Sequence, residues 1–195
     1  FESVATVSFT TAGRVEVGGK VVLVMPDESS GAQHGWRFTD GASTSTETSG
    51  TSNTPAILFT TPSSSKPTGT AVVYTLSTRT LVFTVGANDL AQGASHVFTI
   101  SNVLTPSSVV GVNNMVATTQ DSEDKSVDTT STMSTDQITA GALTSASFAT
   151  ATDTPGFESV ATVSFTTAGR VEVGGKVVLV MPDESSGAQH GWRFT

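Results

Sequence analysis

The residues of this chain whose types and spacing most suggest chemistry form an acidic tract at positions 121–128. Its carboxylates belong to Asp121, Glu123, Asp124 and Asp128. Calcium takes roughly 6–8 oxygen ligands, which carboxylates supply, so the tract is a candidate Ca²⁺ site. The alternative is a solvated hairpin tip, because Lys125 stands in the middle and the glycine and terminal glutamate of an EF-hand loop are missing. No other cofactor is predicted.

Catalytic residue types are scarce. The histidines are His34, its repeated counterpart His190, and His96, and the chain has neither cysteine nor a Gly-X-Ser-X-Gly elbow. His96 alternates with Phe98 and Ile100 on the apolar face of a predicted strand, which is typical of a core histidine. We therefore predict no catalytic site and expect that the protein is not an enzyme.

A bulky pair stands among small residues at Trp36 and Arg37, repeated as Trp192 and Arg193. An indole stacked on a sugar or on a neighbouring subunit, steered by the adjacent guanidinium, would serve as an interface anchor. The alternative is that the indole covers the end of its own domain.

Hydroxyl side chains dominate the polar composition. The chain has 26 Ser and 34 Thr among 195 residues, and only 13% of its residues are charged, about half of the usual 25%. This favours an extracellular or cell-surface protein. No Asn-X-Ser/Thr sequon occurs, so any glycan would be O-linked. The best candidates precede Lys66 at Thr61, Ser63, Ser64 and Ser65; the alternative is a polar loop without sugar.

The net charge of −8 and the pI near 4.6 disfavour nucleic acid, whose binding depends on Lys and Arg neutralising phosphates. They equally disfavour docking on anionic lipid. No stretch approaches the roughly 20 apolar residues of a membrane span, so we expect no membrane insertion in this segment.

Apolar and polar residues alternate with period two along most of the chain, which predicts an all-β fold with about eight strands per repeat. Residues 20–25 predict a central strand that Pro26 ends. Residues 71–76 and 80–85 predict a hairpin, and residues 94–103, 114–119 and 138–152 predict further strands. The polar segment 39–55 is long for a loop, which indicates a functional or mobile role.

Residues 157–195 repeat residues 1–39 letter for letter, at an offset of 156. Packing keeps a core similar but does not keep a surface loop identical, so the identity indicates a tandem array. We expect this chain to cover about 1.25 periods of such an array, since 195/156 is 1.25.

The repeat also predicts where the domains lie. Residues 138–152 lead through a turn into the second copy, whereas no such strand precedes residue 1 in this sequence. We therefore expect residues 1–133 to form a domain lacking its first strand and residues 134–195 to begin the next repeat. The edge left open would be filled by preceding chain or by a neighbouring chain.

Residues 5–11, the run GGKVVLVMP at 18–26, residues 81–85 and the segment GASHVFTISNVLTP at 93–106 resemble an Ig-like module. This module occurs in tandem in very large secreted proteins of stramenopile algae and oomycetes and in some marine bacterial surface proteins. The resemblance implies an Ig-like antiparallel β-sandwich in an extracellular array, and it implies no catalytic residue.

From these patterns we expect a structural unit of an extracellular filament, cell-surface appendage or adhesive fibre, whose partners are copies of itself. The alternative is the stalk of a giant surface adhesin with carbohydrate-binding capacity. A spacer domain of a secreted hydrolase is less favoured, because spacers seldom need identical surfaces.

Overall fold

A computed structural model describes residues 2–26, 35–38, 55–171 and 173–182. Several predicted features therefore lie outside the described residues: His34, His190, Trp192, Arg193 and all but the last residue of the 39–55 segment. The predicted all-β, antiparallel character is confirmed, because every strand pair among the described residues is antiparallel.

The strands are β1 (Glu2–Thr10), β2 (Lys20–Val24), β3 (Arg37–Phe38), β4 (Ile57–Thr61), β5 (Thr68–Thr75), β6 (Thr80–Gly86), β7 (Ser95–Leu104), β8 (Asn114–Gln120), β9 (Ser126–Ser134), β10 (Thr144–Thr150) and β11 (Ala161–Thr166). A 3₁₀ turn at Leu76–Thr78 joins β5 to β6, so the hairpin predicted there is confirmed.

Strands β1 to β9 form two sheets. In one, β7 lies in the middle, with β1 along one side and β3 and β4 along the other. In the second, the order is β5-β6-β2-β8-β9, so β2 is central as predicted. Pro26 follows Met25, whose N–H makes the last backbone hydrogen bond of this segment, to the Arg79 carbonyl (2.9 Å). This position is expected for a residue that cannot donate to the ladder.

The two sheets share one core, because each places its apolar alternate residues on the inner face. Phe83 of β6 meets Phe98 of β7 with ring centroids 5.2 Å apart, and it meets Phe59 of β4 at 6.0 Å. All three rings are at least 98% buried. Edge-on aromatic pairs of this kind add about 0.5–1.5 kcal/mol beyond the burial of their area, and here they join one sheet to the other.

Strands β10 and β11 form a separate antiparallel hairpin. Strand β11 is the second copy of residues 5–10, and β10 comes from the segment between the two copies. On one face of the hairpin the hydroxyls of Ser147 and Ser164 approach within 2.6 Å.

Between β1 and β2, Val15 makes an isolated bridge to Leu90. Two local expectations change. Strand β9 and the two-residue β3 were not predicted, since β9 is rich in Ser and Thr and has little apolar alternation. Of residues 138–152, only β10 is a strand, while Ile138 makes an isolated bridge to Val110. Within the described ranges, no helix has the length and apolar character needed to cross a bilayer.

Candidate interaction surfaces

The outer edge of β1 is the first candidate interaction surface. The Thr11 N–H, just after β1, donates to the Ala94 carbonyl beside β7 (3.3 Å). Backbone groups of a strand turn to alternate sides residue by residue. In the regularly paired part of β1, from Ala5 to Thr10, the odd-numbered residues therefore direct their N–H and C=O groups toward β7. The even-numbered residues Thr6, Ser8 and Thr10 direct theirs to the opposite edge. Among the described residues, no strand pairs with that edge.

The second copy of this strand uses the opposite edge. The Ala151 N–H donates to the Val160 carbonyl (2.9 Å), and the register pairs Ser147 with Ser164 and Ala149 with Thr162. By the same alternation, the even-numbered residues of β11 face β10. Their counterparts in the first copy are the residues of β1 whose backbone groups face away from β7. Strand β10 thus covers the edge of the second copy that is open in the first.

The same register places apolar side chains on one face of the hairpin. Phe148 pairs with Val163, the counterpart of Val7, which lies in the core of the first copy. Phe148 and Val163 line a groove of about 420 Å³ with Phe165, and residues 178–182 of the second copy form its other wall. This face therefore has the character of an inner sheet face, although Phe148 remains 38% exposed.

The acidic tract forms the turn between β8 and β9. The Asp121 carboxylate accepts hydrogen bonds from the backbone N–H groups of Glu123 and Lys125, both at 2.9 Å. Asp124 adopts a φ of 66° and its carboxylate forms an ion pair with Lys20. Of the predicted calcium ligands, Asp121 thus stabilises the turn and Asp124 pairs with Lys20.

Asp128, the last predicted ligand, points elsewhere. Its carboxylate accepts hydrogen bonds from the Gly13 N–H (3.1 Å) and from the Thr119 hydroxyl (3.2 Å). It thereby ties the turn after β1 to strands β8 and β9. Among the described residues, no three Asp, Glu, His or Cys side chains are grouped as metal ligands would be. Calcium binding by Asp121, Glu123, Asp124 and Asp128 stays a prediction.

The Trp36 and Arg37 pair lies against the interior. Trp36 is half-buried and packs on the core, and its backbone carbonyl is 3.5 Å from the Tyr74 hydroxyl. Arg37 is 8% exposed. This placement favours the alternative in which the indole covers the end of its own sandwich. An anchoring role toward sugar or another subunit stays a prediction.

The hydroxyl cluster that could carry O-glycans surrounds the cis peptide bond between Thr61 and Pro62. Thr61 ends β4 and is half-buried, whereas Ser63, Ser64 and Ser65 are exposed. The three serines are therefore accessible, and glycosylation at these four positions stays a prediction.

His96 lies on the core face of β7, as its alternation with Phe98 indicates. It is 1% exposed and its ring lies between Phe9 and Phe59, with centroid distances of 6.0 and 6.5 Å. Its Nε2 is 3.5 Å from the Ala91 carbonyl, and Nδ1 has no hydrogen-bond partner in the described part of the chain. Burial lowers the pKa of His96 below its ordinary value of 6.5. The neutral ring is a core residue that a proton would destabilise.

A polar clamp that the sequence did not indicate closes one end of the sandwich. The Arg14 guanidinium donates from Nε to Asp89 Oδ2 (2.9 Å), and the Val17 N–H donates to Asp89 Oδ1 (2.7 Å). The hydrogen bond from Arg14 lowers the pKa of the Asp89 carboxyl. Because the partners are more than 70 positions apart in sequence, no local pattern could have revealed the clamp.

Comparison with known proteins adds no further constraint: no family model, no curated protein and no solved structure matches the chain.

Proposed function

We propose that this protein is a structural repeat unit of an extracellular filament, cell-surface appendage or adhesive fibre. In such an assembly, Ig-like sandwiches follow one another with a period of 156 residues and contact further copies of themselves. Nearest-neighbour contacts between repeats would then add to the stability of each repeat core.

The observation that carries the proposal is the ordered junction between the copies. The segment that follows β9 is not a free linker, since its residues 144–150 pair with residues 161–166 of the second copy. A connecting segment that contributes a strand to the following copy joins the repeats mechanically. The identity of residues 1–39 and 157–195 would also present the same contact at every junction.

The composition supports the extracellular placement. Serine and threonine face outward along β1, β5 and β9, and charged side chains are few. Such a surface is soluble through hydroxyl groups instead of charges. The acidic balance would let calcium modulate its contacts, and the hydroxyls would be the attachment points of any glycan.

Electron microscopy of the native protein tests the proposal. We expect filaments with a regular axial repeat and with subunits in lateral contact. Separate flexible strings of domains without lateral order would contradict the filament and favour the stalk of an adhesin. Particles with no repeat along their length would contradict both.

A further inference from the structure

We infer that the outer edge of β1 is a docking site for residues 144–150 of a second copy of this chain, joined by exchange of strand β10. This inference rests on the proposed function and identifies the contact by which the copies would assemble. Such a contact is heterologous, because donor and acceptor are different surfaces, and it propagates into a filament when the rotation between copies closes neither a reciprocal dimer nor a ring.

The acceptor edge lacks the usual protection. Strand β1 is nine residues long, its only charged residue is Glu2, and it contains no proline. Its pairing with β7 is regular from Ala5 to Thr10, and its one irregularity lies near the start. Edge strands of monomeric proteins are usually blunted by charge, proline, bulges or short length. This edge can therefore accept another strand.

The pairing of β10 with β11 in the second copy identifies the donor strand. There, β10 hydrogen-bonds to the counterparts of Thr6 and Ser8, which are the residues of β1 whose backbone groups face outward. Since residues 157–166 have the sequence of residues 1–10, the same register is available on β1. In that register Phe148 would lie beside Val7, at the margin of a completed core.

Exchange should be favourable because the donor has a weak partner in its own chain. A two-stranded hairpin without further packing is at best marginally stable in water. Here residues 178–182 line only one side of the groove beside the hairpin, and Val163 beside Phe148 is still 37% exposed. On β1, by contrast, the strand would extend a four-stranded sheet that already packs on a second sheet. The hydrogen bonds that β10 loses to β11 are replaced by the same number to β1, and the apolar side chains of β10 become more deeply buried, which is favourable.

Two matched proline variants of the full chain give opposite predictions for self-association, measured by sedimentation velocity. In Ser8→Pro the lost N–H faces the open edge and not β7, so the sandwich should fold while association weakens by about 5–30-fold, as expected for a loss of one or two kcal/mol. In Ser164→Pro the same change breaks the hairpin and frees the donor strand, so association should tighten. The inference would be overturned if the wild-type chain stayed monomeric at hundreds of micromolar, or if the wild-type chain and the two variants had equal association constants.

A competing peptide keeps the test decisive if Ser8→Pro does not fold. The probe is a synthetic peptide of residues 142–153, which should dissociate wild-type oligomers by occupying the β1 edge. Methylating the backbone nitrogen of Ala149 should abolish competition, because that N–H faces the acceptor. Methylating that of Thr150, which faces away, should preserve it. Equal competition by both peptides would contradict the register.

The outcomes separate the two proposals. Native filaments together with unchanged association in Ser8→Pro would reject strand exchange and leave the filament proposal standing. Strand exchange in solution without native filaments would reject the filament proposal and leave strand exchange standing.

Discussion

Residues 2–26 and 158–182 have the same sequence but two different environments. In the first copy Leu23 and Val21 are fully buried, whereas their counterparts Leu179 and Val177 are 48% and 61% exposed. The difference has a simple cause: the first copy packs on β4 and β6–β9, whereas β10 is the one strand that pairs with the described part of the second copy. Burial in this protein is thus a property of long-range partners and not of local sequence.

The strand at the start of each copy shows the same contrast in its hydrogen bonds. Strand β1 pairs on one side with β7, while β11 pairs on the other side with β10. The two arrangements are complementary, since a complete repeat could hold both partners at once. Substitutions at equivalent positions can therefore break or sharpen the comparison, and they are ordered here from the largest expected effect to the smallest.

The largest difference is expected for Leu23→Ala against Leu179→Ala. Truncating the buried Leu23 leaves a cavity and should lower the free energy of unfolding by about 2–5 kcal/mol. Truncating the half-exposed Leu179 should change it by less than about 0.5 kcal/mol. Urea denaturation of the two variants measures both values. Equal losses would mean that the two copies are packed alike.

Trypsin should distinguish Lys20 from Lys176, although the sequence around both is identical. Lys20 begins β2, and cleavage there requires the strand to open. Lys176 lies outside any strand, so we expect cleavage after it to be at least about tenfold faster. Mass spectrometry of the released fragments over time gives the two rates, and equal rates would contradict the comparison.

Gly13→Ala and Gly169→Ala form a third matched pair. A Cβ at position 13 would lie 2.5 Å from Val127 Cγ1 on β9, while one at position 169 meets nothing within 4 Å. Overpacking at Gly13 should lower the free energy of unfolding by about 1–3 kcal/mol, and Gly169→Ala should not lower it. Thermal melts of both variants test this. Destabilisation by Gly169→Ala would reveal a partner for the second copy.

The smallest effect concerns the pH dependence of stability. His96 lies on β7 opposite Phe9 of β1, and the described part of the second copy has no such partner for its equivalent strand. The folded-state pKa is lowered by burial, so below pH 6.5 the unfolded chain binds a proton that the folded chain does not. Stability from this residue is complete above pH 6.5 and is lost as the pH falls toward the lowered pKa. Urea denaturation from pH 7 to 5 should show this loss, and His96→Leu should flatten it; an unchanged slope in His96→Leu would exclude His96 as the cause.

Sequence patterns predicted the fold best where alternation was strong. The hairpin of β5 and β6, the central position of β2 and the core face of His96 followed from apolar periodicity. Strand β9 was missed because Ser and Thr predominate in it and its two apolar residues, Val127 and Met133, are too far apart to show alternation. It is held by pairing with β8 and by the packing of those two residues on the core. Strand β3 was missed because a strand of two residues is too short to show an alternating pattern.

The candidate interaction surface was predictable only in outline. The repeat indicated that a strand precedes each copy, but it could not say which edge that strand covers. The answer came from the hydrogen bonds of Thr11 and Ala151, which face opposite sides of equivalent strands. The Arg14–Asp89 clamp left no sequence signal at all, because its partners meet only after the chain has folded.

The sequence by itself determined the repeat, the all-β character and which residues share a face of each strand, because strand geometry sets a period of two without reference to any partner. Only the tertiary structure decided which of two identical valines is buried and which edge of a strand is open. Val7 is 6% exposed and Val163 is 37% exposed. Identical residues differ in this way because burial and sheet pairing depend on segments distant in sequence, and the described part of the chain supplies those segments to only one of the two copies.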